Sequence, residues 1–386
     1  MKKTDEVGAR IAYYRNMRGL SQFQLAALAN VGRDYLAHVE RGKKSPTSVW
    51  VGRVAASLGV DSSKIYGTDN EVDQIDRIAP TVRLVLASLE FPPDIDAEPL
   101  DVLRPQVEQV ERWRHNAAYD KIVLALPDLV DQLLVAGQRD GAPAYALLTS
   151  ALRAANTLGH KTGHYDLSLL ATNYMVDAAK QTEDPLLTAT TQYVRSAALA
   201  RVGATDQAVL LTDRTITEIE PLAEDETGAA VLCALHMRRA GLASTAFDAD
   251  TTDAHFAEAR RLAERVGDRQ VMGTVVGPTN IALWELSSAN DLGRTPKALE
   301  IAEATSLPGD YPRERIAHYW LDKARAHLSA GQSDEAIDCL QAARVVAPEY
   351  FRKSRAVKTA IKTTAAQQKR AGGGLPALAN YAGIEF

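Results

Sequence analysis

The segment from Arg33 to Gly42 carries polar side chains along one face of a predicted helix. Leu36 and Val39 lie three residues apart, so both face the same inner side. The opposite, outer side then carries Arg33, Asp34, Ala37, His38 and Arg41. An arginine can donate two hydrogen bonds to a guanine, and an aspartate can accept one from a cytosine amine. A helix with this outer face is suited to reading base edges in a DNA major groove.

The preceding residues predict a second short helix that leads into the first through a tight turn. Ser21 and Gln24 have the spacing of a capping box at a helix start. Asn30 tolerates the left-handed conformation that ends a helix, and Gly32 can begin the next one. The apolar face of the helix is assigned to Leu25, Ala26 and Leu28. Two helices joined in this way predict a helix-turn-helix.

The stretch from about Val7 to Gly67 resembles the phage-repressor/Cro (XRE) class of DNA-binding domains. The matching residues are Ile11, Arg15, Gly19–Gln22, Leu25, Ala26, Glu40–Gly42, Pro46, Val54, Ala55 and Leu58–Val60. The resemblance implies that Arg15 pairs with Glu40, and that Gln22 contacts a phosphate at a helix N-terminus. The residues that it would place against bases are Arg33, Asp34 and His38.

Each of these roles has a simpler alternative. Arg33 can contact only a phosphate, and Asp34 can act as a favourable anion in the first turn of its helix. Tyr35 either touches the DNA backbone or packs in the domain. Lys43 and Lys44 are expected to contact phosphates, which adds affinity without sequence information. The predicted DNA-binding residues are Gln22, Arg33, Asp34, Tyr35, His38, Arg41, Lys43 and Lys44.

Charge separates this N-terminal region from the rest of the chain. Residues 1–67 contain 11 lysines and arginines against 5 aspartates and glutamates, a net charge of +6. The whole chain of 386 residues has a net charge of −5, so residues 68–386 carry −11. A basic head on an acidic body indicates a polyanionic partner at one end, and argues against nucleic acid along the body.

Composition indicates a soluble globular protein rather than a membrane or secreted one. Hydrophobic residues make up 46% of the chain, no apolar run is long enough to span a membrane, and no signal peptide is expected. Cys233 and Cys339 are isolated in apolar patterns and are expected to be buried thiols. His160 and His164 lack a third metal ligand nearby. We therefore expect no enzyme activity, no cofactor and no metal, and a cytoplasmic, nucleoid-associated location.

The body is predicted to be helical throughout, which makes the fold class all-α. Apolar residues recur at three- and four-residue spacing, and no convincing alternating strand is present. A pattern that begins with glycine and ends on a small residue starts at Gly163, Gly203, Gly293 and Gly331. The spacing is 40, 90 and 38 residues, and the long gap is expected to hold a degenerate copy near Ala249–Ala254.

The last copy resembles a tetratricopeptide repeat. The matching positions are Trp320, Ala324, His327, Ala336, Leu340, Ala343 and Pro348. Such hairpins stack into a superhelix with a concave inner surface. The expected architecture is a five-helix DNA-binding domain (1–67), a linker with a helix (68–99), a tetratricopeptide-like repeat domain (100–370) and a C-terminal tail (371–386), which either docks back or hangs free.

The combination is similar to the actinobacterial XRE–tetratricopeptide regulators, and more distantly to bacterial quorum-sensing receptors whose repeats bind short peptides. Val276–Asn280 and Leu299–Ala302 carry the actinobacterial part of the likeness. The resemblance implies a homodimeric transcription regulator that binds a double-stranded DNA operator. It does not imply a particular ligand.

A small-molecule or peptide signal is expected in the concave groove, where amides and aromatic rings can hold it. The candidate ligand-binding residues, assigned to the first helices of hairpins or to a possible anion contact, are Asn173, Tyr193, Arg239, Asn280, Trp284 and Tyr319. The aromatic residues can instead simply pack between hairpins, and Asn280 can cap a helix. Two rival functions stay open: a DNA-tethered scaffold for another protein, and a ligand-independent regulator whose repeats only dimerise.

Overall fold

A computed structural model describes residues 7–67, 74–368 and 374–384, with the side chains of 74–78 left out. Within these ranges the chain forms twenty-one α-helices, one two-stranded hairpin and one short 3-10 turn. The all-α prediction is confirmed. The hairpin is the exception, and it was not predicted.

The first five helices form the N-terminal domain, here called the head. They are α1 (Val7–Met17), α2 (Gln22–Ala29), α3 (Arg33–Glu40), α4 (Ser48–Ser57) and α5 (Ser62–Tyr66). Their shared core is built on the fully buried side chains of Ile11, Leu25, Leu36 and Trp50. Leu28, which was assigned to the buried face of α2, is 62% exposed, because Leu25 and Ala29 already fill that side.

The helices that follow form the body. They are α6 (Gln74–Ala87), α7 (Leu100–His115), α8 (Tyr119–Asp140), α9 (Ala142–Thr162), α10 (Tyr165–Lys180), α11 (Pro185–Arg201), α12 (Thr205–Ile219), α13 (Glu226–Thr245), α14 (Ala249–Val266), α15 (Pro278–Asp291), α16 (Thr295–Ala304), α17 (Arg313–Ser329), α18 (Ser333–Val346), α19 (Pro348–Lys353), α20 (Arg355–Gln367) and α21 (Leu375–Tyr381). The 3-10 turn is Glu220–Leu222. The predicted linking helix corresponds to α6, while the boundary residues 68–70 lie outside the described chain.

The repeated glycines mark the turns between paired helices, as the pattern predicts. Gly163, Gly203, Gly293 and Gly331 all have φ between 73° and 93°, a range that favours glycine. They join α9 to α10, α11 to α12, α15 to α16 and α17 to α18. The degenerate copy is the pair α13 and α14, where Phe247 takes the left-handed conformation instead of a glycine.

The strands are β1 (Arg269–Val271) and β2 (Thr274–Val276), paired antiparallel. Met272 and Gly273 both have positive φ, as a two-residue hairpin turn requires. The side chain of Arg153 donates to the Met272 carbonyl (2.8 Å), and that of Arg114 donates to the Gly273 carbonyl (3.0 Å). The hairpin is thereby joined to α7 and α9 across the inside of the stack.

The C-terminal helix α21 docks back onto the body. Leu375, Leu378 and Ala379 are almost fully buried, and α21 packs against α18 and α20. Of the predicted glycine break, residues 372 and 373 lie outside the described chain, while Gly374 is the N-cap residue of α21. Of the two alternatives for the tail, the structure shows docking.

The head also packs against the body, through α4 and α11. A side chain at Gly52 has no room, because its Cβ would lie 2.4 Å from the Arg201 carbonyl oxygen. The same is true of Gly203, whose added Cβ would lie 2.4 Å from that of Ala56. The two backbones therefore approach closely only because both positions are glycine.

Candidate DNA-contacting face and interior cavity

The turn between α2 and α3 folds as its residues dictate. Ser21 Oγ accepts from the Gln24 amide (3.1 Å), and Gln24 Oε1 accepts from the Ser21 amide (2.8 Å), so the predicted capping box is present. Asn30 ends α2 in the left-handed conformation with φ of 49°. Gly32 then begins α3. These local signals fix the angle at which α3 leaves α2.

A polar network joins the first three helices of the head. Arg15 donates to both carboxylate oxygens of Glu40, at 2.6 and 3.0 Å, as the resemblance implied. Gln22 donates its side-chain amide to the same carboxylate (2.7 Å). The side chains of Glu40 and Arg15 are only 5% and 13% exposed, so the network is largely shielded from solvent. It fixes α3 against α1 and α2.

The outer face of α3 is open to solvent. The side chains of Arg33 and Asp34 are 63% and 89% exposed. His38 Nδ1 bonds the Asp34 carbonyl (2.6 Å), which orients the ring and leaves its other nitrogen pointing away from the backbone. Arg41 is also exposed, and its Nε donates to the Ala37 carbonyl (2.9 Å). Four of the predicted base- and backbone-contacting residues therefore share one accessible surface.

Tyr35 does not belong to that surface, which corrects its assignment as a DNA contact, while Lys44 is half-buried and its phosphate contact stays a prediction. Tyr35 is 4% exposed, and burial raises the pKa of its phenol to about 12. Its hydroxyl lies 3.4 Å from Arg325 of the body. Lys44 is half-buried with its ammonium 5.0 Å from the Tyr35 ring, and burial lowers its pKa. Both side chains face the junction between head and body.

The remaining two predicted contacts have mixed surroundings. Lys43 is exposed, while its backbone carbonyl accepts a hydrogen bond from Gln367 of α20 (3.0 Å). The side-chain nitrogen of Gln22 is engaged by Glu40, as described above. The phosphate contacts assigned to these residues stay predictions.

Arg325 on α17 joins the body to the head. It donates to Asp291 and Asp322, both at 2.7 Å, and to the Ser45 carbonyl at 2.9 Å. The guanidinium and the Asp291 carboxylate are each 5% exposed. Because charge-assisted hydrogen bonds are strong where water is excluded, this cluster holds the loop after α3 against the body.

A cavity of about 310 Å³ lies between the head and the concave side of the body. The first helices of five pairs, α9, α11, α13, α15 and α17, line it together with parts of α7, α19 and α20. Residues Ser45–Val49 of the head form another part of its wall. The cavity therefore lies within ten residues of α3 along the chain, and both domains surround it.

Comparison with known proteins places the head in a family. Residues 6–64 match the model of a helix-turn-helix domain. The immunity repressor protein of Bacillus phage phi105 is 40% identical over 68 residues, which are 18% of this chain and 47% of the repressor. The uncharacterized HTH-type transcriptional regulator y4dJ of Sinorhizobium fredii (strain NBRC 101917 / NGR234) is 31% identical over 65 residues, which are 17% of this chain and 84% of y4dJ. The chain belongs to the helix-turn-helix transcriptional regulators.

These relatives match the regulator only in its head, and the match spans about half of the phage repressor. Two solved structures are similar over more of the chain. BtubC (BKLC) from P. vanneervenii has 12% identity and a TM-score of 0.42, covering 59% of this chain and 91% of its own. Bacillus thuringiensis PlcR, in complex with the peptide PapR7 and DNA, has 13% identity and a TM-score of 0.28, covering 89% and 94%.

Two of the six predicted ligand-binding residues of the regulator line the cavity. Tyr193 and Trp284 do so, and both rings lie against the guanidinium of Arg238, at 4.4 and 4.8 Å from its central carbon. Both rings therefore face the cavity, and their contact with a ligand stays a prediction. Arg238, which stacks between them, was not predicted.

The other four lie elsewhere. Asn173 is on α10, the second helix of its pair, rather than on a first helix. Arg239 points away and pairs with Asp213 (2.7 Å). Tyr319 is buried and donates to the Ala302 carbonyl (2.7 Å). Asn280 is 2% exposed, donates to the Val275 carbonyl, and does not cap α15, whose N-cap residue is Gly277.

The charged lining residues that sequence reasoning missed are mostly cations. Asn280 reaches the cavity only indirectly, by accepting from Arg315 (2.6 Å), which does line it. Lys161 pairs with Glu314 across the wall and bonds His318 (2.5 Å). Arg153 and Lys161 recur on α9 at near-helical spacing, a signal that was present in the sequence. The sequence did not show which side of each helix faces the groove.

In the described ranges no helix is long and apolar enough to cross a membrane. Across those same ranges, no group of three or more His, Cys, Asp or Glu side chains is arranged to hold a metal ion. Cys233 and Cys339 are free and buried, as expected, and burial raises the pKa of the Cys233 thiol to about 12.

Proposed function

We propose that this regulator binds a duplex DNA operator as a homodimer, and that a small ligand in the cavity changes its affinity for that operator. The observation that carries the proposal is the exposed face of α3. Arg33, Asp34 and His38 lie on it together, and the Arg15–Glu40–Gln22 network holds the helix that presents them. Two heads of a dimer would read half-sites about 34 Å apart, or a multiple of that distance.

The charge distribution supports DNA as the partner of the head. The net charge of +6 on residues 1–67 attracts phosphates, while the −11 on the remainder repels them. Arg33 and Arg41 supply positive charge on α3 itself, and Lys43 supplies it directly after the helix. A duplex would therefore be drawn to the head rather than along the body.

The position of the cavity supports control by a ligand. Its wall includes Ser45–Val49, which cover the end of the α3–α4 loop and the start of α4, and the facing residues belong to the body. A ligand that binds more tightly when head and body are docked would shift the regulator toward that arrangement. Because the position of each head relative to its body sets the distance between two heads, operator affinity would change with it.

The same cavity weighs against the two rival functions. A regulator whose repeats served only for dimerisation would not need a cavity of about 310 Å³ on its concave side. A scaffold for another protein would need an open surface, but the head already covers part of the groove through Arg325 and Ser45. Both observations favour a small ligand.

The test is selection of binding sites from a random duplex library with the purified full-length regulator at physiological salt. We expect a two-fold-symmetric site. Arg33→Ala should cost about 1–3 kcal/mol on that site and relax the preference at one base pair in each half-site. Lys43→Ala should weaken all sequences alike and reduce the salt dependence by about one phosphate.

Arg104→Ala is the matched control, because Arg104 is an exposed arginine on α7, outside the head. It should leave both affinity and site preference unchanged. If Arg33→Ala weakens all sequences equally, Arg33 does not read a base. If no sequence is enriched, α3 does not read bases. In that case the head would serve only as a tether to DNA.

A further inference from the structure

The wall of the cavity carries a large excess of positive charge. Eight lysine and arginine side chains line it, against three carboxylates. All three carboxylates form ion pairs within the protein. Asp291 and Asp322 pair with Arg325, and Glu314 pairs with Lys161. Six cavity arginines are left with no carboxylate within ion-pairing distance in the described part of the chain. This excess is hidden inside a body whose overall charge is negative.

Several of these arginines have hydrogen-bond donors without acceptors. Within the described residues, the Nε atoms of Arg114, Arg201, Arg238 and Arg315 are buried and have no hydrogen-bond partner. The whole side chain of Arg201 is without any ion pair there, although Arg201 is only 9% exposed. The indole nitrogen of Trp284 is another buried donor without an acceptor. A buried donor that lacks an acceptor costs free energy, and a buried charge costs more.

The arginines also repel one another. Burial, followed by repulsion from Arg238, lowers the pKa of Arg201 to about 9. Burial, followed by repulsion from Arg114, lowers the pKa of Arg153 to about 9. Arg315 likewise contributes to lowering the pKa of Arg238. These arginines all line the same cavity, and a negative charge placed among them would relieve their repulsion.

We propose that the cavity binds a small organic anion with at least two negative charges, carried by phosphate or carboxylate groups, among Arg201, Arg238 and Arg315. This proposal rests on the proposed function and names the class of its ligand. The guanidinium groups supply paired donors for oxyanions. Tyr193, Trp284 and Leu283 supply an apolar side for the rest of the molecule.

The size of the cavity favours a small anion over a long peptide. A volume of about 310 Å³ is at the lower end of the range of roughly 300–1,000 Å³ typical of ligand sites. Because the wall includes Ser45 and Thr47 of the head together with arginines of the body, one anion can contact both domains. The docking of the head on the body would then depend on whether the cavity is occupied.

The test uses the purified full-length regulator and three probes: citrate, fructose 1,6-bisphosphate and inorganic pyrophosphate, each against sodium chloride of equal ionic strength. Binding is followed by calorimetry and by the thermal midpoint. We expect saturable binding of at least one probe, with a rise in Tm of about 4 °C or more at a hundred times its Kd. Binding only of the phosphate compounds would identify a phosphate ester, and binding only of citrate would identify a polycarboxylate.

Arg201→Gln should weaken binding about 10- to 100-fold, because it removes a charged donor but leaves a polar side chain. Without any anion, the same variant should be at least as stable as the wild type, since it removes a buried charge that has no counter-charge. Arg201→Lys keeps the charge and should bind more tightly than Arg201→Gln. Arg104→Gln, on the exposed surface of α7, should match the wild type in both respects.

The proposal is overturned if none of the three probes binds saturably, or if Arg201→Gln and Arg104→Gln bind the probe equally well. It is also overturned if Arg201→Gln unfolds at a lower temperature than the wild type without anion while Arg201→Lys does not, since Arg201 would then be a structural cation. Operator affinity is measured separately. If an anion binds but operator affinity does not change, the site stands and the proposed control by ligand fails.

Discussion

Replacing Gly52 by alanine tests whether the head is docked on the body in solution. The new Cβ would lie 2.4 Å from the Arg201 carbonyl oxygen and 2.9 Å from that of Ala200. Both are backbone atoms of α11, so no side chain can rotate away to make room. Overpacking of this kind costs about 1–3 kcal/mol.

The same substitution stabilises the head itself. Gly52 is in the interior of α4, where alanine is favoured over glycine by about 1 kcal/mol. This gain is present whether or not the head is docked, while the overpacking acts only in the docked arrangement. The docked arrangement should lose about 1–3 kcal/mol relative to the undocked one, which corresponds to a shift of about 5- to 150-fold in that equilibrium. The head should stay folded throughout.

Hydrogen exchange measured by mass spectrometry is the assay. Peptides that cover Ser45–Val49, and those that cover the end of α11, should exchange faster in Gly52→Ala. Gly309→Ala is the matched control, because a Cβ at Gly309 would meet nothing within 4 Å. If Gly52→Ala shows wild-type exchange in both regions, the close approach of α4 and α11 does not hold the domains together and the reasoning is wrong.

Three further outcomes follow from buried polar groups. Arg15→Met should lower the free energy of unfolding of the head by about 2–4 kcal/mol, because Glu40 loses a shielded partner. The assay is urea denaturation, and an unchanged midpoint would mean that Gln22 alone is enough to hold Glu40. Tyr35→Phe should cost less than about 1 kcal/mol and leave operator affinity unchanged, because the 3.4 Å contact with Arg325 is long; a loss of operator binding would return Tyr35 to the DNA-contacting set. Burial, followed by the charge of Lys161, lowers the pKa of His318 to about 4. The unfolded chain then binds more protons than the folded one between about pH 6.5 and pH 4, so stability should fall as the pH drops through that window, by about 1–2 kcal/mol for this histidine at pH 5. His318→Gln should flatten the dependence of Tm on pH; a profile that matches the wild type would show that other histidines dominate it.

Local signals predicted the head well because its geometry is set within short segments. Ser21 and Gln24 are three residues apart, and Asn30 ends the same helix, so the capping box and the turn could be recognised directly. Tyr35 could not be placed in this way. Its environment is decided by Arg325, 290 residues further along the chain.

The lining of the cavity was predicted less well, because it depends on how the helices are rotated about their axes. The periodicity identified the paired helices and their glycine turns, but Asn173 was assigned to the wrong member of its pair. The negative net charge of the body did not indicate that the wall of its cavity is positively charged. The body carries −11 overall, yet the wall of its cavity holds eight lysine and arginine side chains, Arg201 and Arg238 among them, against three carboxylates. The β1–β2 hairpin was missed because strands of three residues carry too short a pattern.

The central claim is that the outer face of α3 enters the major groove of the operator. Because the native cysteines are buried, a single Asp34→Cys substitution offers an exposed thiol that can carry an iron chelate for DNA cleavage. On the selected operator we predict two clusters of cleavage, one in each half-site, about 34 Å apart or a multiple of that distance. Cleavage spread evenly along the duplex, or confined to DNA outside the half-sites, would contradict the claim.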